Sequence, residues 1–301
     1  MANKILITGG TGLVGGRLQD LLLSQNYETA LLSRRPTDRS KGIYNWDIKA
    51  QTIDPAALEN VHGVIHLAGA GVADGRWTEA RKKAILDSRI QSTNLLYNEL
   101  KAMEHRPKVF VSASAVGIYG YDTGDALMTE DDSPADDFLA DVVVQWEGAV
   151  DRIAELGIRV VKLRIGIVLA EDGGALPKMV QPIRLWAGAP LGSGEQYMSW
   201  IHIDDLANMM IWSLAQQQVE GVYNAVGTKP ATNAELTRCA AKVLSKPLFL
   251  PNVPGFVIKL MFGEMGNIVL GGNRVSNAKI AATGFKYQFE DMKHALEDLL
   301  T

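Results

Sequence analysis

Lys4-Ile-Leu-Ile-Thr-Gly-Gly-Thr-Gly-Leu-Val-Gly-Gly-Arg-Leu18 is the stretch whose reading decides the fold of this 301-residue chain. A short apolar run, Ile5 to Ile7, has the length of a buried strand, and the pattern of Leu13, Leu18, Leu21 and Leu22 that follows is helical. Between them stand Gly9, Gly12 and Gly15. Each glycine answers a separate need: one lets the chain turn sharply, one lets backbone N–H groups approach a pyrophosphate, and one lets the helix pack against the sheet. A strand, a tight glycine turn and a helix in direct succession form the context in which such a triplet binds a dinucleotide, its phosphates resting on the positive end of the helix.

Working outward, Glu28 to Leu32 reads as a second strand. A site for NAD places an acidic residue about 20 positions beyond the glycines, to accept from the ribose hydroxyls. Here the chain has Ser33-Arg34-Arg35. Two guanidinium groups suit a 2′-phosphate, which selects NADP(H) over NAD(H); the competing reading is a solvated surface pair. Ile43 to Trp46 reads as a third strand, with Asp47 and Ile48 placed to bound an adenine ring. Val61 to Leu67 is a fourth strand ending in Ala68-Gly69-Ala70-Gly71, small residues that let a cofactor lie against the backbone. A helical pattern from Thr78 to Met103 precedes a fifth strand, Val109 to Val111, which is expected to stop at Ser112-Ala113-Ser114. A helix over about Leu139 to Leu156 then leads to a strand from Arg159 to Ile165. This alternation predicts an α/β fold, a Rossmann-type doubly wound parallel sheet.

Beyond Gly166 glycines and prolines punctuate a segment with little periodicity, which reads as a lid or substrate region. The pattern resumes at Trp200 to Leu206, with Asp204 or Asp205 available to cap a helix, then a strand over Gly221 to Val226 and a helix over Asn233 to Leu244. From Pro251 onward a small helical subdomain closes with Phe289 to Leu300. The expected division is a dinucleotide-binding domain over 1–166, to which 200–228 returns, and a smaller α/β substrate region with its terminal helical subdomain over 167–199 and 229–301.

A net charge of −4 lacks the basic stripe of a nucleic-acid-binding domain, and Arg81-Lys82-Lys83 reads as a solvated helix face. One cysteine, Cys239, cannot form an internal disulfide. Met1 runs almost directly into the first strand, and Phe256 to Leu270 is too short and too interrupted to span a bilayer, so the expected setting is cytoplasmic, without a membrane partner. His62, His66, His105, His202 and His294 show no metal-ligand spacing, and no metal site is expected.

Several motifs make the chain resemble the extended short-chain dehydrogenase/reductases: Thr8 to Gly15, His66-Leu-Ala-Gly69, Ser112-Ala-Ser114 with Ile118-Tyr-Gly120, and Ile201 to Leu206. More narrowly it is similar to the atypical NAD(P)-dependent epimerase/dehydratase branch called epimerase-family proteins, sometimes sugar-nucleotide epimerase or cell-division-inhibitor homologues. The similar stretches are Arg76-Trp-Thr-Glu79, Asp87-Ser-Arg-Ile90, Phe138-Leu-Ala-Asp141 with Trp146-Glu147, Leu163 to Leu169, Gly263-Glu-Met265 and Gly284-Phe285. The resemblance implies a Tyr four residues before a Lys on the helix after the fifth strand, where the lysine lowers the phenol's pKa. Counting back from Glu147, Leu139 and Val143 stand there, and neither carries a proton. The Tyr97–Lys101 pair has the right spacing but lies on the preceding helix.

The expected cofactor contacts are Gly9, Thr11, Gly12, Leu13, Val14, Gly15, Ser33, Arg34, Arg35, Leu67, Ala68, Gly69, Arg89, Ser112, Ile165 and Gly166. Ser112, Ser114 and Tyr119 are the candidates for the chemistry, since they leave the fifth strand beside the expected nicotinamide position; each also has a packing or backbone-satisfying alternative. Trp77, Trp146 and Trp200 read as packing residues. Two functions follow: an NADP(H)-dependent epimerase, dehydratase or reductase acting on a small polar molecule such as a nucleotide sugar, or a non-catalytic NADP(H) sensor that reports to a protein partner.

Overall fold

The computed structural model describes residues 3–301. Strands β1 (Lys4–Thr8), β2 (Glu28–Ser33), β3 (Ile43–Asp47), β4 (Thr52–Ile53), β5 (Val61–His66), β6 (Val109–Ala115), β7 (Arg159–Ile165), β8 (Ile167–Ala170), β9 (Gly173–Gly174), β10 (Trp200–His202) and β11 (Gly221–Ala225) follow in chain order. The helices are α1 (Leu13–Ser24), α2 (Glu79–Ala102), α3 (Phe138–Asp151), α4 (Leu176–Arg184), α5 (Ile203–Ala215), α6 (Asn233–Val243), α7 (Gly255–Phe262), α8 (Gly266–Leu270), α9 (Ala278–Ala282) and α10 (Met292–Leu300).

The main sheet runs β11-β7-β6-β5-β1-β2-β3-β4, and every pairing is parallel except β3 with the two-residue edge strand β4. Strand order reverses direction on either side of β1, which opens a crevice outside the carboxyl ends of β1 and β5. Because side chains alternate across a strand, the two faces feed two cores. Ile5, Ile7, Ile65 and Val111 meet Leu18 and Leu22 of α1 and Leu206 and Met210 of α5. Leu6, Val64 and Phe110 meet Leu95 and Leu96 of α2 and Trp146 and Val150 of α3. A third core gathers Trp200, Phe289 and apolar residues of α4, α6 and α10 outside the main sheet.

Three local expectations are corrected. First, β6 continues through Ala115, so Ser112 and Ser114 lie within the strand instead of beyond it. Its small residues pair with the full length of β7 and give no reason to stop. Second, the segment after Gly166 is regular: β8 pairs with β9 and β10, and α4 follows. Gly166 is there for close approach, since a Cβ would collide with the Ser199 carbonyl oxygen and stand 2.9 Å from Val226 Cγ1. Third, α5 is capped by His202, whose Nδ1 accepts from the Asp204 N–H at 3.1 Å. Asp204 instead pairs with Arg17 of α1, and Asp205 accepts from the N–H groups of Gln288 and Phe289 at 2.7 and 3.0 Å.

Among the described residues no helix is long and apolar enough to cross a membrane. The helical C-terminal segment is anchored to the rest where Arg274–Val275 pairs in parallel with Leu127–Met128.

Candidate functional site

The glycine turn meets the geometric demands its sequence suggests. Gly9 adopts φ +69°, the left-handed region that L side chains rarely occupy, and a Cβ there would press on the backbone of Leu67 at 3.0 Å. A Cβ on Gly15 would collide with the Gly9 carbonyl oxygen and stand 2.6 Å from Gly10 Cα, so only glycine lets α1 start this close to β1. Gly12 is exposed and no side chain caps the helix. The first N–H groups of α1 therefore point outward unsatisfied by the helix, with Thr11 exposed and Leu13 and Val14 half-buried around them.

Across the crevice, the loop after β5 is held from beneath by Thr8 and His66, which the sequence places in motifs without assigning them a role. Thr8 Oγ1 accepts from the N–H groups of Leu67 and Ala68, both at 3.1 Å. His66, fully buried, bridges Thr8 Oγ1 at 2.7 Å and Thr93 Oγ1 at 3.1 Å. Burial, with a smaller contribution from the Arg89 charge, pushes its pKa down to about 3, so the ring is neutral. The loop presents half-buried Leu67 and Ala68 and exposed Gly69 to the crevice. A Cβ on Gly69 would stand 3.2 Å from Arg89 Cζ, so this glycine admits the guanidinium.

Arg89 Nη1 donates to the carbonyls of Ala70 and Ile85 at 3.1 and 2.9 Å, and its Cζ lies 5.0 Å from the centre of the Trp146 ring. Burial, then the nearby Arg81 charge, lowers its pKa to about 10. It has no carboxylate within salt-bridge distance among the described residues, which suits it to receive an anion. Arg34 and Arg35 are exposed at the end of β2, again with no acidic partner there, while Ser33 is buried and accepts from the Arg35 N–H at 3.2 Å. Half-buried Ile165 and Gly166 close the carboxyl end of β7.

The three residues singled out for chemistry are all buried, and two of them, Ser114 and Tyr119, belong to a polar network. Ser112 is fully buried and its Oγ donates to the Ala113 carbonyl at 2.8 Å. Ser114 Oγ donates to Glu147 Oε1 at 2.5 Å, and Arg164 clamps the same carboxylate through Nε at 2.9 Å and Nη2 at 3.0 Å. Tyr119 OH donates to Asn224 Oδ1 at 2.7 Å and accepts from Arg164 Nη1 at 3.1 Å. Burial raises the Tyr119 pKa against the opposing pull of Arg164, so this phenol is less acidic than usual. Burial also raises the Glu147 carboxyl, but hydrogen bonds from Arg164 and Ser114 outweigh it and the net shift is downward. Nothing local marks Glu147 and Arg164 as partners, since α3 also carries Asp141 and Asp151 and β7 also carries Arg159 and Lys162.

Leu139 and Val143 face apolar surroundings. Val143 packs with Ile118, Tyr119, Val226 and Val275, and Leu139 joins Trp77, Phe138 and Tyr121. Tyr121 carries a buried hydroxyl with no hydrogen-bond partner, and burial pushes its pKa up to about 12. Tyr97 and Lys101 take no part in this network: Tyr97 is buried in the core beneath α2, and Lys101 Nζ lies 5.9 Å from the centre of its ring. Trp77, Trp146 and Trp200 are all buried, in three different cores. Among the described residues no group of three or more His, Cys, Asp or Glu converges as a metal site requires.

A main sheet parallel in all but its last edge pairing, with a glycine turn at its switch point, defines a Rossmann-type nucleotide-binding α/β protein. The chain belongs to the NAD dependent epimerase/dehydratase family, whose profile matches residues 5–226; a domain of unknown function (DUF1731) matches residues 253–299. It is 34% identical over 300 residues to the epimerase family protein YfhF of Bacillus subtilis, covering 99% of this chain and 98% of that one. Its fold superposes with a TM-score of 0.89 on the human epimerase family protein SDR39U1 (isoform 2), crystallised with NADPH, at 33% identity and 98% coverage of each chain. A nucleoside-diphosphate sugar epimerase from Corynebacterium glutamicum is also similar, with a TM-score of 0.81 and 28% identity; the match covers 99% of this chain and 58% of that one.

Proposed function

We propose that this protein binds NADP(H) across the crevice between β1 and β5 and acts as an oxidoreductase or epimerase on a small polar substrate, with nucleotide sugars among the candidates. The observation that carries the reading is the uncapped N-terminus of α1 at the glycine turn, with two exposed guanidinium groups without acidic partners at the end of the next strand. The NADPH bound by the human relative supports the same choice. In this reading, N–H groups around Gly9, Thr11, Gly12, Leu13, Val14 and Gly15 hold the pyrophosphate. Arg34 and Arg35, with Ser33, take the 2′-phosphate, and Arg89 adds a charge-assisted contact beside Leu67, Ala68 and Gly69. Half-buried Ile165 and Gly166 line the nicotinamide end, and Ser112, fully buried, would reach it only by giving up its bond to the Ala113 carbonyl.

Bound NADP(H) supplies a hydride to a substrate carbon or removes one. The chain's part is to orient that carbon and hold the proton of the neighbouring oxygen, with Ser112, Ser114 and Tyr119 the candidates. One observation favours a second reading, a non-catalytic NADP(H) sensor: the Ser114 and Tyr119 hydroxyls already donate to Glu147 and Asn224, and Leu139 and Val143 replace the proton-relaying pair.

Titration of the purified protein with NADPH and NADH tests the first claim, and a clear preference for NADPH is expected. Equal affinity or none overturns it. A screen of carbonyl compounds and nucleotide sugars, read by nicotinamide absorbance and product formation, separates the two readings. Turnover establishes the enzyme; tight binding with persistent silence assigns the sensor.

A further inference from the structure

Seven of the ten exposed large apolar side chains among the described residues fall between positions 185 and 261, outside the dinucleotide crevice. They include Trp186, 51% exposed, Phe249, and Phe256 and Leu260 of α7, 73% and 75% exposed. The segments that carry them adjoin. Val253 N–H donates to the Pro190 carbonyl at 2.8 Å, Gly192 N–H donates to the Val253 carbonyl at 2.9 Å, and Lys246 Nζ lies 4.5 Å over the Trp186 ring. α7 begins two residues beyond Val253. Isolated exposed apolar residues need no explanation, but this many on adjoining segments do.

Two further observations narrow the occupant. Positions 173–194 and 236–263 contain no Asp or Glu in a chain of net charge −4, yet they hold Lys178, Arg184, Arg238, Lys242, Lys246 and Lys259. Of these, Arg184 directly precedes Leu185 and Trp186, Lys246 covers Trp186, and Lys259 lies on α7 between Phe256 and Leu260. The acidic residue that follows, Glu264, is engaged by Lys82 at 2.7 Å. In addition, Trp186 adopts φ +62°, an unfavourable region for a bulky side chain, and it does so just beyond the end of α4 while half exposed. Local strain spent on an exposed tryptophan, beside an apolar helix face with a cationic rim, matches the interfacial layer of an anionic bilayer, where aromatic rings sit at headgroup level and lysines reach the phosphates.

We propose that the face formed by residues 184–190, 246–254 and α7 docks peripherally on anionic lipid. The surface inserts only side chains and requires no spanning segment. This inference is independent of the cofactor reading, because none of these residues is placed at the dinucleotide crevice.

The test is co-sedimentation of the full chain with vesicles of phosphatidylcholine, with and without phosphatidylglycerol, while NADPH titration and circular dichroism verify that each variant is folded. Binding to the phosphatidylglycerol vesicles that weakens with salt is expected, with a blue shift of tryptophan emission that Trp186→Phe diminishes. The Phe256→Ser/Leu260→Ser variant should lose it, and Lys246→Gln and Lys259→Gln should each weaken partitioning roughly fivefold. Failure of the wild-type chain to bind, or binding unchanged in the serine variant, overturns the proposal. So does light scattering that reports a dimer abolished by the serine variant, which would assign the face to a second copy.

Discussion

Replacing Glu147 with Gln isolates the central charge of the buried network. The carboxylate and Arg164 are both nearly inaccessible, with side-chain exposures of 9% and 7%, and they share a two-point contact at 2.9 and 3.0 Å. Gln keeps the volume and one acceptor but leaves the guanidinium charge without a counterion; Lys162 Nζ, 3.9 Å from Glu147, adds a second positive charge. Removing one partner of a buried pair costs about 3–5 kcal/mol, because the remaining charge stays desolvated. With an unfolding entropy of roughly 2.1 cal/mol/K per residue, a chain of this length should lose about 5–8 °C in Tm. Chemical denaturation with an unchanged m-value is the assay. The double variant Glu147→Leu/Arg164→Met should be more stable than Glu147→Gln, since no charge is then stranded. The sign with pH also follows. The folded pKa of Glu147 lies below its unfolded value, so its contribution is full above about pH 4.3 and is lost as pH falls through the folded pKa. The gap between wild type and Glu147→Gln should therefore hold from pH 5 to 8 and close in acid. A loss below about 1 kcal/mol at neutral pH, or a gap that widens on acidification, refutes the reasoning.

Three other outcomes are open to measurement. Arg34→Ala/Arg35→Ala should raise the NADPH Kd by roughly 10- to 100-fold, the loss of charge-assisted bonds of about 1.5–3 kcal/mol, while leaving NADH affinity unchanged; an equal loss for both cofactors would place the arginines elsewhere. Gly15→Ala, which drives a methyl into the backbone of Gly9 and Gly10, should destabilise the fold by about 1–3 kcal/mol and abolish cofactor binding, as calorimetry and titration can check. The His66 imidazole, with its pKa lowered to about 3, should show no NMR titration between pH 5 and 8. Its folded pKa lies below the unfolded value near 6.5, so between those limits acid costs the native state up to about 1.4 kcal/mol per pH unit, and a titration midpoint near 6.5 would contradict the buried bridge to Thr8 and Thr93.

The main sheet was legible in the sequence because its strands are short apolar runs separated by helices with clear periodicity, and both signals are local. Val61 to His66 and Arg159 to Ile165 were found at nearly their observed limits. The errors arose where a residue's role is set by a distant partner. Ser112 to Ser114 have the composition of a strand's end, yet each residue is paired to β7. Gly166 looked like a break, yet it marks the contact with Ser199. Asp204 and Asp205 had the chemistry of caps, but Arg17 and the 288–289 backbone claim them and leave the capping to His202. The buried support of the crevice, Thr8 and His66, is likewise a contact between residues 58 apart, for which no local pattern exists.

The same long-range logic sharpens what the absent tyrosine and lysine mean. Restoring them by substitution would not simply refit a proton relay. A lysine at position 143 would enter a site now 3% exposed and packed by Ile118, Tyr119, Val226 and Val275, one helical turn before Glu147. Burying an ammonium there is tolerable only with a counterion, and the nearest on that helix face is the carboxylate that already receives Ser114 and Arg164. The new lysine would compete for Glu147 and unsettle the network that joins β6, α3 and β7. The apolar pair and the buried Ser114–Glu147–Arg164–Tyr119 network thus form one self-consistent solution. Any proton that this protein moves must come from a group that the network leaves free to respond, or from Ser114 or Tyr119 after exchanging a buried partner for a substrate oxygen.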